Sequence, residues 1–382
     1  MAATIDTARE SDAPLIFVVG ARGVPDVEGG AEKNAEMLFP RVASGGYRVV
    51  LVGLADNIKS EMFKGVRLMK APRSSIMKTD KLLYYVTAVF MAMRLKPRIV
   101  HFQGLGSALF LWAYKLMGAK TVVRYGSADY LVGKWGALGK LGFLLSEYQL
   151  RFADAVISVT PALAQRLERR GIKGNVHVIA NAADPLPAGA EAQLPADNYV
   201  LTVGRVTAQK NVANLIRGYE LFASEEAQPP KLVVAGGLDE AEYVQSLKPL
   251  LTERTLLAGK FTRSAMAPLY RGSKLYINAS MHEGSSNAVL EAIGAGCSIL
   301  LSDIPENRDF GFPDHCYFDP HSPEAIAGAL KRALSDPKAF VVDSRRYLTW
   351  DAVAQRTLDI YGQIAPCKSS RVPRADALMS AS

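Results

Sequence analysis

Two doubly wound, Rossmann-like α/β domains facing each other across a cleft are what this sequence predicts, on three observations. Short apolar, β-branched runs alternate with longer helical stretches from end to end, which is the βαβ rhythm of a mostly parallel sheet with helices on both faces. That rhythm breaks once, at Asn181–Pro195, a segment rich in Ala, Pro and Gly, and then restarts. Finally, 382 residues exceed one typical core and suit two domains of roughly 150–200 residues each.

In the first half, Leu15–Gly20, Tyr47–Gly53, Arg98–Gln103, Lys120–Tyr125, Ala155–Val159 and Asn175–Ala180 read as buried strands. A helix is expected from Ala31 to about Ser44. Three prolines in Asn181–Pro195 favour a linker over an element. The second half repeats the pattern with Tyr199–Gly204, Lys231–Gly237, Thr255–Phe261, Lys274–Ser280 and Ser298–Asp303. Residues 1–185 are therefore expected to form an N-terminal domain, 186–196 a linker and 197–350 a C-terminal domain. A closing helix follows over 351–365, with a polar tail over 366–382. Ligands of such folds sit beyond the carboxyl ends of the strands, so the loops after the strands are where chemistry is sought.

Composition narrows the class. Hydrophobic residues are 49% and charged residues 21%, ordinary for a soluble globular protein. No apolar run reaches the ~18 residues of a membrane span, and the N-terminus lacks the apolar segment of a signal peptide. Cys297, Cys316 and Cys367 are scattered and read as reduced thiols of a cytoplasmic protein. The net charge of +8 is concentrated: between Lys59 and Arg98 ten Lys/Arg face two acids, Glu61 and Asp80. With the apolar Leu82–Met91 beside it, this stretch is a candidate contact for an anionic membrane surface on its cytoplasmic face. A solvated face flanking a core helix explains it equally well. Nucleic acid is not expected as a partner, since no nucleic-acid module is recognisable.

Three loops carry the candidate chemistry. After the first strand, Gly20–Gly30 ends in Gly29-Gly30 just where a helix starts, so the backbone can approach a ligand closely and offer amides to a phosphate. Its spacing is not the dinucleotide fingerprint. After the first strand of the second half come Arg205 and Lys210, two cations placed to neutralise a diphosphate. The third is His282–Gly296, with Glu283 in a loop and Glu291 on a small-residue helix. The two carboxylates would lie about 12 Å apart on one helix, too far for the ~5 Å pair of a retaining glycosidase. Such spacing suits one carboxylate at a donor sugar and the other at a ribose.

The run EGSSNAVLEAIGAGCSILLSDIPENRDFG resembles the family-4 glycosyltransferases of the GT-B fold, whose mark is Glu-x7-Glu. The glycine-rich loop, Gly204-Arg205 followed by Lys210, HFQGLGSALF and KWGALGKL match as well, and the resemblance runs from about Leu15 to Leu358. It implies a retaining transferase that moves a sugar from a nucleotide diphosphate donor to a glycan or lipid-linked acceptor in surface polysaccharide assembly. Gly29 and Gly30 would lie against the donor phosphates and sugar. Arg205 and Lys210 would hold the diphosphate as it leaves, Glu283 the sugar hydroxyls and Glu291 the ribose. Ser286, Asn287 and Ala288 would present amides to the phosphates. No Asp-x-Asp occurs, in keeping with a reaction that needs no metal or other cofactor. The sequence departs from the family where Tyr125 stands in place of a usual histidine. Tyr125, Arg124, Asp129 or the nearby His101 are the candidate substitutes, and a degenerate nucleotide-binding scaffold, a nucleotide-sugar epimerase and a phosphorylase are the competing readings.

Overall fold

The computed structural model describes residues 13–73, 81–127, 136–186 and 195–366. Asp129, Lys78, Asp80, the start of KWGALGKL, most of the linker, Cys367 and the rest of the tail lie outside them. The chain divides into two compact units. One holds the residues up to Ser158, Arg166–Ile179 and everything from Asp351; the other holds Val159–Gln165 and Ala180–Trp350.

The strands of the first unit are β1 (Leu15–Val19), β2 (Arg48–Leu54), β3 (Met62–Phe63), β4 (Val66–Ala71), β5 (Ile99–Phe102), β6 (Lys120–Tyr125), β7 (Ala155–Ser158) and β8 (Val176–Val178). They form one sheet in the order β3-β4-β2-β1-β5-β6-β7-β8, parallel throughout except for the β3–β4 pair. Helices α1 (Gly30–Ser44), α2 (Leu82–Leu95), α3 (Leu111–Leu116), α4 (Ala137–Gln149) and α5 (Pro161–Arg169) connect them. Every residue of β1, β5 and β7 is buried, because a parallel strand covered on both faces has no solvent side and loses the apolar–polar alternation.

The second unit has six strands, β9 (Tyr199–Val203), β10 (Lys231–Ala235), β11 (Thr255–Gly259), β12 (Leu275–Asn278), β13 (Ile299–Ser302) and β14 (Tyr317–Phe318). All pair in parallel, in the order β11-β10-β9-β12-β13-β14. Its helices are α6 (Val212–Glu225), α7 (Ala241–Leu247), α8 (Arg263–Gly272), α9 (Asn287–Ala295), α10 (Pro305–Arg308) and α11 (Pro323–Ser335). Both units are thus Rossmann-like, each with its first strand inside the sheet.

Three details differ from the sequence reading. Strands β3 and β4 lie inside the basic stretch, where Arg67 and Lys70 point to solvent while Val66, Leu68 and Ala71 are buried. The edge strand β3 beside them is only two residues long, and so short an edge discourages pairing with a further strand. The contact boundary falls at Ile179/Ala180, ahead of the expected linker, since Asn181 donates to Asn287 (3.1 Å) and Asp184 accepts from the Trp350 amide (3.0 Å). The closing helix α12 (Trp350–Ile364) returns to the first unit. There Asp351 pairs with Arg41 at 2.6 Å, and Tyr361 stacks edge-on against Tyr47.

Candidate functional site

In the second unit the backbones leaving β9 and β10 are laced together. Gly204 donates to the Ala235 carbonyl (2.9 Å) and Val206 to that of Gly237 (2.8 Å). Gly236 has φ +148°, and a Cβ there would strike the Gly204 carbonyl, so only glycine fits both the dihedral and the space. The lacing sets the direction of Arg205, which is exposed and makes no hydrogen bond or ion pair among the described residues. Gly236→Ala is expected to cost about 2–3 kcal/mol, read as a lowered denaturation midpoint of the second unit. An unchanged midpoint would show that the lacing is not tight.

Glu283 sits in the loop after β12, with its side chain 9% exposed. Three donors converge on one of its oxygens, Oε1: Lys210 Nζ at 2.6 Å, Ser280 Oγ at 2.7 Å and Asn278 Nδ2 at 3.2 Å. Burial pushes the Glu283 carboxyl up, but the Lys210 charge and these bonds outweigh it and hold the pKa below the ordinary 4.5. The group is therefore a carboxylate at neutral pH. Its second oxygen, Oε2, has no protein partner among the described residues; it is an acceptor ready for a hydroxyl. Behind the loop, Ser302 Oγ donates to the Ser280 carbonyl (2.6 Å) and the buried Asn307 amide donates to Ser302. The same loop borders a cavity of about 360 Å³, lined in part by Met281, His282, Asp303 and Asp319.

Helix α9 begins directly after this loop. Ser286 is its N-cap, yet its side chain makes no capping bond. The amides of Asn287 and Ala288 have no partner among the described residues. Free amides at a helix start, with the positive end of the helix dipole, favour an anion such as phosphate. One to two turns further along, Glu291 accepts from the Tyr270 hydroxyl at 3.1 Å. The structure thus brings Lys210 and Glu283 into direct contact and sets Ser286, Asn287, Ala288 and Glu291 along one helix. Asn278, Ser280 and Tyr270 were missed from sequence. The first two left a readable trace, since Asn278-Ala279-Ser280 closes an otherwise apolar strand; Tyr270 left none.

The remaining candidates belong to the first unit. Gly29 is the N-cap of α1, at φ 140°, and Gly30 is its first residue. Glu32 braces this loop: its Oε1 accepts from the Arg22 amide (2.9 Å) and Arg22 Nε (3.0 Å), and Arg22 reaches on to the Glu28 carbonyl. At the other end of the loop, the Gly20 amide donates to the Tyr84 hydroxyl at 2.6 Å.

His101 is a correction. It is 0% exposed, bonded through Nδ1 to the Tyr361 hydroxyl (2.6 Å) and edge-on to Phe39, so it joins the sheet to α1 and α12 and presents no atom to a ligand. Tyr125 is equally buried, 3.4 Å from Glu147 Oε2. It occupies the usual histidine position without offering an exposed group. Arg124 is buried beside it, and desolvation lowers its pKa to about 10.

Desolvation, with Arg124 adding to it, lowers the His101 pKa from 6.5 to about 3. A histidine held neutral in the fold contributes fully above pH 6.5, and that stability is lost as pH falls from there toward 3, because only the unfolded chain gains the proton. The loss should reach about 2 kcal/mol at pH 5. Thermal denaturation between pH 7 and 5 should show this slope, and His101→Gln should flatten it; an equal slope in both would assign the acid sensitivity elsewhere.

The basic stretch 59–98 is only partly the apolar surface that was expected: Tyr84, Tyr85 and Ala88 of α2 are in the core, and Phe90 and Met93 are exposed.

Comparison with known proteins agrees with this geometry. Residues 28–185 match the Glycosyltransferase Family 4 model, and residues 190–349 match Glycosyl transferases group 1. The serotype-specific mannosyltransferase WbdA of Escherichia coli is 24% identical over 195 residues, 50% of this chain and 23% of WbdA. The lipopolysaccharide core biosynthesis glycosyltransferase LpsD of Rhizobium meliloti is 31% identical over 193 residues, 48% of this chain and 54% of LpsD. The matches therefore span about half or less of these relatives. Among solved structures, a sucrose-phosphate synthase from Thermosynechococcus elongatus has a TM-score of 0.76 at 18% identity, covering 92% of this chain and 99% of that one. The Anabaena protein HepE, solved with UDP and glucose, has a TM-score of 0.70 at 14% identity, covering 92% and 100%. Two matching family models in register along residues 28–349, on two Rossmann-like units of GT-B type, place this chain in the group 1, family 4 glycosyltransferases.

Proposed function

We propose that the protein is a retaining, metal-independent glycosyltransferase that moves a sugar from a nucleotide diphosphate donor to a glycan or lipid-linked acceptor during surface polysaccharide assembly. The observation that carries this reading is the Glu283 carboxylate, ionised and bonded through one oxygen only, next to Lys210 and the free amides that open α9. Oε2 accepts from a donor-sugar hydroxyl, Glu291 from the ribose, and Arg205, Lys210 and the α9 amides face the diphosphate. As the anomeric C–O bond breaks, negative charge grows on the departing diphosphate, and preorganised cations and amides stabilise it there. The acceptor oxygen bonds to the anomeric carbon from the same face, and its proton passes to the leaving phosphate oxygen. The names of the relatives, two of them mannosyltransferases and one a lipopolysaccharide core enzyme, support a glycan acceptor.

The buried Tyr125 favours one second reading, a scaffold that binds nucleotide without turnover. Incubation with UDP-, GDP- and dTDP-sugars, EDTA and an oligosaccharide or lipid-linked acceptor separates the two. The transferase reading expects nucleotide diphosphate release that depends on acceptor, with the donor's anomeric configuration kept in the product by NMR. An inverted product, or activity abolished by EDTA, would remove the retaining or the metal-independent part. Nucleotide binding with no release under any pairing would leave the scaffold.

A further inference from the structure

Helix α4 is built inside out. Its Leu138, Leu141, Leu145 and Tyr148 follow the i, i+3, i+7, i+10 spacing of one helical face, and that face is solvent-exposed, with Leu138 at 62% and Tyr148 at 53%. The inward side carries the polar Ser146 and Glu147, along with Gln149, which bonds the Leu109 carbonyl and the Trp112 amide. The residues that α4 buries are polar, and among the described residues its apolar side faces solvent. The neighbouring helices extend the patch. Trp112 (56%) and Leu116 (81%) project from α3, Phe90 and Met93 from α2, and Phe152 from the turn that ends α4. A single exposed leucine needs no explanation; large apolar side chains exposed together on three adjacent helices do.

Charge decides what covers it. From Phe90 to Phe152 the chain has nine Lys/Arg against two acids, Asp129 and Glu147. Glu147 is buried and ion-paired with Arg170 at 2.9 Å, and the nearby Asp154 is taken by Lys115 and Lys120. Arg94, Lys96, Lys140 and Arg151 are exposed around the patch, with the Arg151 guanidinium stacked on the Tyr148 ring at 3.9 Å. Two copies of such a face would repel each other, whereas anionic headgroups would draw it in. Among the described residues no helix is long and apolar enough to cross a bilayer, so the arrangement fits lying on one. We propose that the outer face of α2, α3 and α4 docks on an anionic lipid bilayer, with Trp112, Leu116, Leu141, Leu145 and Tyr148 entering the headgroup–acyl boundary and the surrounding cations meeting lipid phosphates. This surface is separate from the β3–β4 edge of the basic stretch and goes beyond the transferase reading.

The test is co-sedimentation of the full chain with phosphatidylcholine vesicles, with and without about 30% phosphatidylglycerol, at low and high salt. Binding is expected only with the anionic lipid, weakened by salt, with a blue shift of tryptophan emission that Trp112→Phe diminishes. The double variant Leu141→Glu/Leu145→Glu, both at exposed positions, should keep the wild-type melting temperature and lose at least about tenfold in vesicle affinity. Lys64→Glu/Lys70→Glu, on the β3–β4 edge, should lose much less. Three results would overturn the proposal: no binding by the wild type, equal binding by the α4 double variant, or light scattering that shows a dimer which this variant dissociates. The last would assign the patch to a second copy. Loss of sugar transfer with vesicle binding intact would bear on the transferase reading alone.

Discussion

Glu283→Gln should lower kcat/KM by about 10³, with nucleotide diphosphate affinity changed by less than about threefold. The size follows from what the substitution inverts. Glutamine keeps one oxygen for Lys210, Ser280 and Asn278, which already converge on Oε1. Its other terminus becomes an NH2 where Oε2 offered an acceptor, so a donor-sugar hydroxyl meets a donor in place of an acceptor. The Lys210 ammonium, only 24% exposed, also loses its counter-charge and with it the ion pair that fixes its position for the leaving diphosphate. Separate measurement of product-nucleotide affinity and of kcat distinguishes this from general damage to the site. Equal losses in both would mean that Glu283 organises the fold of the loop and does not contact the sugar.

Arg205→Ala should lower kcat by about 10²–10³ while leaving stability within about 0.5 kcal/mol. The contrast comes from its surroundings: Arg205 is exposed and makes no hydrogen bond or ion pair among the described residues, so the fold gives up nothing when it is removed. Lys210→Ala cannot be read as cleanly, because it strands the buried Glu283 carboxylate and the cost of an unpaired buried charge adds to any catalytic loss. Arg205→Lys should recover part of the rate, since a point charge serves a phosphate less well than a planar fork does. A normal kcat in Arg205→Ala would remove it from leaving-group stabilisation.

The legible parts of this molecule are those where one local signal dominates. Strands such as Leu15–Val19 and Ile299–Ser302 are buried on both faces, and continuous apolar runs mark them in sequence. The Glu283–Glu291 spacing was legible because a strand end, a loop and a small-residue helix follow one another within fifteen residues. Strand β4 was not legible: one of its faces is open to solvent, so only alternate residues are buried, and its Arg67 and Lys70 read as part of a charge run. Strand β14, two residues long, has too little pattern to detect. The destination of α12 depends on Tyr361 meeting His101, 260 positions away, which no window along the chain contains. His101 was misassigned for the same reason, since a histidine at a strand end looks the same whether it meets a ligand or a distant tyrosine. The outward face of α4 was missed because its spacing is that of an ordinary core helix; only the position of Ser146 and Glu147 shows which side is inside.

The function proposed for this chain depends on Arg205, Lys210, the start of α9 and Glu291 forming a nucleotide diphosphate site. Isothermal titration of UDP, GDP and dTDP into the full chain with EDTA present, repeated on Glu291→Ala, tests it most directly. One nucleotide should bind, and the variant should bind it at least about tenfold more weakly, a loss of about 1.4 kcal/mol. Heat from none of the three, or the same affinity in Glu291→Ala, would contradict it.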